Sequence, residues 1–151
     1  MYTFLRVASD DHPMASWICP KCHRQFGRAK QSHECSPAMS LEEYFSTGPS
    51  HERPIFDAVM AHLVTVGPVH VEPVSVGIFL KRSRSFAELR PMRDWVALWF
   101  TLSRTVRHRT ITRKVITYGS GFVHVANLRT PDDLDDEIRG WLTEAYVRSP
   151  E

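Results

Sequence analysis

With 151 residues, 42% of them hydrophobic, the chain has enough apolar material for one ordinary domain or for a small module joined to a larger one. The formal net charge of +2, from 19 Lys and Arg against 17 Asp and Glu, is weaker than dedicated nucleic-acid binders show. No run approaches the roughly 18 apolar residues of a membrane span, and no basic-then-apolar leader opens the chain, so a soluble cytoplasmic protein is expected.

Residues 1–14, with Asp10, Asp11 and Pro13 ahead of Met14, show no periodicity and read as a disordered extension, or as the product of a start codon upstream of the native one. Residues 15–37 read as a metal-binding module. Cys19 and Cys22 form a Cys-x2-Cys knuckle, and His33 with Cys35 supplies a second pair ten residues on, which uses every cysteine in the chain. Three thiols and one imidazole match the tetrahedral demand of zinc, and two residues between the first two thiols let their sulfurs converge on one point. With four protein ligands no open coordination position is left, so the expected Zn2+ is structural. The single residue between His33 and Cys35 predicts a helix ending near His33, followed by extended chain. His23 is a rival ligand, disfavoured because its neighbour Cys22 faces the ion. Lys21, Arg24, Arg28 and Lys30 surround a site of formal charge −1. An odd cysteine count argues against disulfides and for a reducing compartment.

Residues 40–148 read as an α+β domain, an antiparallel β-sheet flanked by helices. Ser40 and Glu43 have capping-box spacing ahead of a short helix through Phe45. After Gly48-Pro49, Ser50 is expected to cap a second helix with Ile55, Val59, Leu63 and Val66 on its buried stripe, ended by Gly67-Pro68. Val69 and Val71, then after Pro73 the set Val74, Val76 and Ile78, alternate as strand, with Lys81 to Ser85 as a polar turn. Phe86–Arg90 and Trp95–Leu102 follow as strands, the latter apolar on both faces and so expected to be central and covered on both sides. Val115–Tyr118 and Phe122–Leu128 flank a Gly119-Ser120-Gly121 corner. Thr130 is expected to cap the final helix, with Pro131 in its first turn and Asp132, Asp133, Asp135 and Asp136 near its positive end.

From about Leu41 onward the chain resembles the bacterial domain-of-unknown-function family 5655. The matching stretches are Val76-Gly77-Ile78-Phe79, Ser85 to Pro91, Leu128 to Asp136 and Gly140 to Tyr146. The segment Trp17 to Phe26 with Gln31 to Cys35 resembles a zinc-finger-like front module found on some members. The resemblance implies a helix-flanked antiparallel sheet and a bacterial origin, and it brings no reaction or catalytic residues.

Three functions stay open for the protein. Ten basic residues lie between Lys81 and Lys114 against two acids, Glu88 and Asp94, and Arg82, Arg84, Arg104, Arg107 and Arg109 are the candidates for contact with a nucleic-acid backbone. The bland alternative pairs these arginines with the acidic last helix. A second function is docking of another protein on the zinc knuckle. A third is a small-ligand sensor or enzyme with a pocket between sheet and helices, walled by Trp95, Trp99 and Phe86. No catalytic residues are assigned: no cysteine remains as a nucleophile, and there is no phosphate-cradling glycine loop or nucleophile elbow. His124, between Val123 and Val125, reads as a hydrogen-bonded sheet residue rather than a base.

Overall fold

The computed structural model describes residues 17–27, 29, 30, 33, 35 and 39–149; the expected extension over residues 1–14 and Arg28 lie outside them. The fold is α+β. A two-stranded antiparallel sheet, β1 (Trp17–Ile18) with β2 (Gln25–Phe26), precedes helices α1 (Leu41–Ser46) and α2 (Glu52–Leu63). Strands β3 (His70–Val74), β4 (Gly77–Lys81), β5 (Ser85–Pro91), β6 (Val96–Leu102), β7 (Ile116–Tyr118) and β8 (Gly121–Leu128) form one antiparallel sheet in the order β3-β4-β5-β6-β8-β7. Helix α3 (Asp136–Arg148) closes the chain.

The Ser40 capping box forms as its spacing predicts: the Glu43 amide donates to Ser40 Oγ at 3.1 Å, and the Ser40 amide donates back to Glu43 Oε1 at 3.1 Å. At α2 the N-cap is His51 rather than Ser50, and no side chain caps it; the Glu52 amide donates to Pro49 O instead. The final helix also starts later than expected. Thr130 caps a single 3-10 turn over Pro131–Asp133, and Asp135 then caps α3 by accepting from the Ile138 amide at 3.1 Å.

The alternation from Val69 to Ile78 conceals a hairpin. The chain turns at Ser75-Val76, so Val76 stands 52% exposed between β3 and β4. Lys81 ends β4 as a buried residue and is no part of a polar turn. At the β7–β8 turn Gly119 takes φ +59, the conformation that a two-residue hairpin loop requires at its first position.

One face of the sheet is the core. Paired positions share a face, so Val71, Leu80, Ala87 and Phe100 form one row and Ile78, Leu89, Leu98 and Ala126 the next. Helix α3 lies over β5 and β6, bringing Ile138, Trp141, Leu142 and Ala145 onto these rows, and α2 adds Ile55, Val59 and Leu63. β6 is central, as its two apolar faces imply, but among the described residues helices cover only one of them. On the other face Ala97 is buried and Trp99 half-buried, with the Arg90 and Arg113 guanidinium carbons 5.3 and 5.2 Å from the Trp99 ring centroid.

Candidate metal centre

The knuckle is closed by two backbone hydrogen bonds, His23 N to Cys19 O at 2.8 Å and Cys19 N to Arg24 O at 2.9 Å. Closing it requires a left-handed residue after the second cysteine, and His23 takes that place with φ +60. His23 is thereby turned out to solvent and is not among the clustered ligands. No helix leads into His33 among the described residues. Lys30, at φ +56, belongs to a turn, a conformation that no α-helix continues.

Cys19, Cys22, His33 and Cys35 bring their ligand atoms within 4.8 Å of one another, close enough to hold one metal ion. Cys19 Sγ lies 3.8 Å from Cys35 Sγ, and His33 Nε2 lies 3.4 Å from Cys22 Sγ and 3.3 Å from Cys35 Sγ. Tetrahedral zinc, with bonds of about 2.3 Å to sulfur and about 2.0–2.1 Å to nitrogen, needs sulfurs about 3.8 Å apart and sulfur to nitrogen about 3.5 Å. The donor set therefore fits the ion in kind and in spacing. The Cys22 amide lowers the Cys19 thiol pKa to about 6, burial opposes it, and the Lys21 amide adds to the lowering. Desolvation holds the Cys35 thiol up, and its hydrogen bond and charge interaction with Cys19 add to this. A cation held between clustered thiolates offsets their like-charge repulsion. The His33 ring lies 4.1 Å, centroid to centroid, from Phe26, and Trp17 packs beside both.

Three aromatic rings and two buried cysteines make a very small interior, and the module leans on the large sheet to complete it. Its dock is the buried carboxylate of Glu72, 1% exposed on β3. Arg24 Nε and the Gln25 amide each donate to it at 3.0 Å, His70 Nε2 lies 3.0 Å away and Lys81 Nζ 2.8 Å. Lys81 also donates to Gln25 O at 2.5 Å and lies 4.2 Å from the Phe26 ring centroid. Burial pushes the Glu72 carboxyl up, but the His70 hydrogen bond, the Lys81 charge, and hydrogen bonds from Lys81 and the Gln25 amide more than reverse this and hold it well below the usual carboxylate range. Gly27 allows close approach to the β4–β5 turn: a Cβ there would lie 2.1 Å from Arg84 Cγ. Arg24, expected beside the thiolates, thus pairs with Glu72. Lys21 and Lys30 stay exposed.

Sequence reasoning misses this dock. Its only trace is a histidine and a glutamate two residues apart on one strand, with a lysine at the end of the next, and register makes them neighbours: His70 pairs with Lys81 and Glu72 with Phe79.

Three of the five candidate arginines are paired within the chain. Arg82 donates to Tyr146 O and Ser149 O at 3.1 and 3.0 Å, where cations suit the C-terminal end of α3. Arg104 grips Glu144 at 2.9 Å and Arg109 meets Asp133 at 3.2 Å, the pairing with the acidic C-terminal segment that the bland reading expects. Arg84 and Arg107 are exposed and have no carboxylate partner among the described residues.

His124 is fully buried and stacked on Phe100, its Nε2 accepting from the Val106 amide at 3.1 Å, and burial lowers its pKa. It belongs to the core, as its strand position suggests. A second close group, His108, Asp135 and Glu137, is explained by hydrogen bonding: His108 Nε2 to Asp135 at 2.8 Å and Nδ1 to Thr110 Oγ1 at 2.8 Å, with Asp135 also capping α3. The expected pocket is on the opposite side of the sheet from the helices. Trp99 and Phe86 line it, and Trp95 does not.

Compared with known families, residues 41–149 match Domain of unknown function (DUF5655). No curated protein and no solved structure matches the chain.

Proposed function

Because the chain belongs to the DUF5655 family, whose description carries no reaction, we propose its role from the cysteine and histidine quartet: Cys19, Cys22, His33 and Cys35 hold one structural Zn2+ in a non-catalytic, cytoplasmic binding protein. The observation that carries this reading is the set of 3.8, 3.4 and 3.3 Å separations between donor atoms. Bound there, the ion supplies charge neutralisation for the thiolates and a cross-link for a module with almost no core. Four protein ligands leave no position for water, which a catalytic zinc needs. Thiols kept reduced for a metal suit a cytoplasmic location. Glu72 receives the folded module through Arg24 and Gln25, so metal binding and docking reinforce each other.

Elemental analysis of protein purified without added zinc tests this reading. One equivalent of zinc is expected, and none in Cys22→Ser. Well-folded protein with much less than one equivalent overturns it.

Contact with nucleic acid is a second proposal, favoured by one observation: Arg84 and Arg107 are exposed and lack a carboxylate partner among the described residues. Arg82, Arg104 and Arg109 would have to leave their present partners to join them. An affinity for mixed DNA or RNA that falls steeply between about 50 and about 200 mM salt supports it, and a flat or absent response rejects it.

A further inference from the structure

The sheet face that no helix covers among the described residues holds a cavity of about 430 Å³ that the metal quartet does not touch. Strand register puts its side chains there. Glu88 pairs with Trp99, Thr101 with Val123, and Val123 with Ile116, and Tyr118 follows Ile116 on the same side of β7. The volume is within the range of about 300–1,000 Å³ typical of small-molecule sites. Its walls are mostly apolar or aromatic, with Ser85, Glu88 and Thr101 as polar points. Tyr118 and Ile116 remain 77% and 46% exposed, large apolar groups left to solvent at the mouth of a hollow.

We propose that this cavity binds a small aromatic anion, a flat ring carrying a carboxylate or a similar acid group. The ring is accounted for by Trp99 and Tyr118, which offer faces for stacking. The charge follows from the cations around Trp99. Arg90 is ion-paired with Glu88, so that carboxylate is already answered. Arg113, over the same indole, has no carboxylate or hydrogen-bond partner among the described residues, and Lys114 beside it is exposed. Neither arginine lines the cavity itself, but both guanidiniums lie against its Trp99 wall, so a cationic ligand stacked there would approach two positive charges and an anionic one an unanswered charge. The Trp99 indole Nε1 is enclosed without a hydrogen-bond partner among the described residues, which is costly for a buried donor. An acid group that draws a stacked guanidinium off the ring also brings that donor an acceptor.

The test uses the full chain as purified, with naphthalene-2-carboxylate as probe and the uncharged naphthalene-2-carboxamide as control, followed by NMR. Expected are saturable shifts of the Ile116 and Val123 methyls and of the Trp99 indole proton with the carboxylate. Arg113→Gln should weaken the carboxylate about 2–5-fold and leave the carboxamide unchanged, the effect of one exposed ion pair. Tyr118→Ser should weaken both ligands about 2–10-fold through lost stacking. Both substitutions are at exposed positions, and unchanged Leu98 methyl shifts will confirm that the core is intact. Unmoved resonances, carboxamide binding as tight as carboxylate, or Tyr118→Ser binding like the parent overturns the proposal.

Discussion

The two parts of this molecule are held together by different physics. The six-stranded domain is an ordinary apolar core: Ile55, Leu63, Ile78, Leu98, Leu128 and Ile138 are fully buried between one sheet face and the helices. At roughly 25 cal/mol for each Å² of apolar surface buried, such an interior needs no help. Among its described residues, the module over residues 17–35 has an apolar cluster of Cys19, Cys22 and Phe26, with Trp17 alongside. It substitutes a metal quartet on its inside and a charged dock on its outside. A segment too short to bury enough apolar surface can still be ordered by polar groups, provided each is answered.

The sharpest way to break this contrast is Cys22→Ser. It should forfeit most of the about 10 kcal/mol or more that closing a zinc site contributes, and so unfold the module while the large sheet survives. Residue-resolved NMR will show whether Trp17 and Phe26 lose dispersion while Leu98 and Ala126 keep theirs. Loss of both sets together would mean that the two parts fold as one unit.

The next largest effect is expected at the dock. Glu72→Ala strands Arg24, His70 and Lys81 in a buried site without their carboxylate, at a cost of about 3–5 kcal/mol. Denaturant unfolding measures the loss, and faster hydrogen exchange at the Gln25 amide locates it. A cost under about 1 kcal/mol would show that the module does not depend on the sheet.

Much of this contrast is legible in the amino-acid sequence. The metal quartet stands out because cysteine is rare here and its spacing is chemical. The Ser40 cap and the two-faced strand through Phe100 are legible because local hydrogen bonding and periodicity act over a few residues. The Ser75-Val76 turn is hidden because Val74, Val76 and Ile78 continue a period of two straight through it. The start of α3 is displaced from its expected place because Thr130-Pro131 is a good helix start, used here for one 3-10 turn before Asp135. The role of Glu72 is invisible because its partners lie 47 and 48 residues away in the chain, at Gln25 and Arg24, and only the register of β3 with β4 brings Lys81 beside it.

Two buried glutamates sharpen the comparison through pH, with opposite signs. Glu72 has a lowered pKa in the folded state, so its contribution is complete above the ordinary carboxylate value and drains away as pH falls through that value toward the lower folded one. Glu52, on α2, is raised mainly by burial, against the hydrogen bond from Tyr44 and the His51 charge. Its sign is reversed: the large domain loses stability as pH climbs from the ordinary carboxylate range to the raised value. Unfolding titrations should show Glu52→Gln flattening that loss in the domain, while acid weakens the dock. A domain profile unaffected by Glu52→Gln contradicts this assignment.

The smallest effects come from backbone changes, one in each part. His23→Gly should relieve the left-handed position after the knuckle, and Gly140→Ala, where a Cβ meets nothing within 4 Å, should favour α3. Each is expected to add about 1 kcal/mol to its own part and nothing to the other, as hydrogen exchange resolves.

The most direct test is hydrogen exchange of the intact chain before and after removal of metal by a strong chelator under reducing conditions. Protection should vanish at Cys19, His23 and Gln25, whose amides are bonded in the module, and persist at Leu98, Phe100 and Val125, with one equivalent of zinc recovered in the chelate. Unchanged protection in the module of a metal-free chain would contradict the claim that a bound ion holds it together.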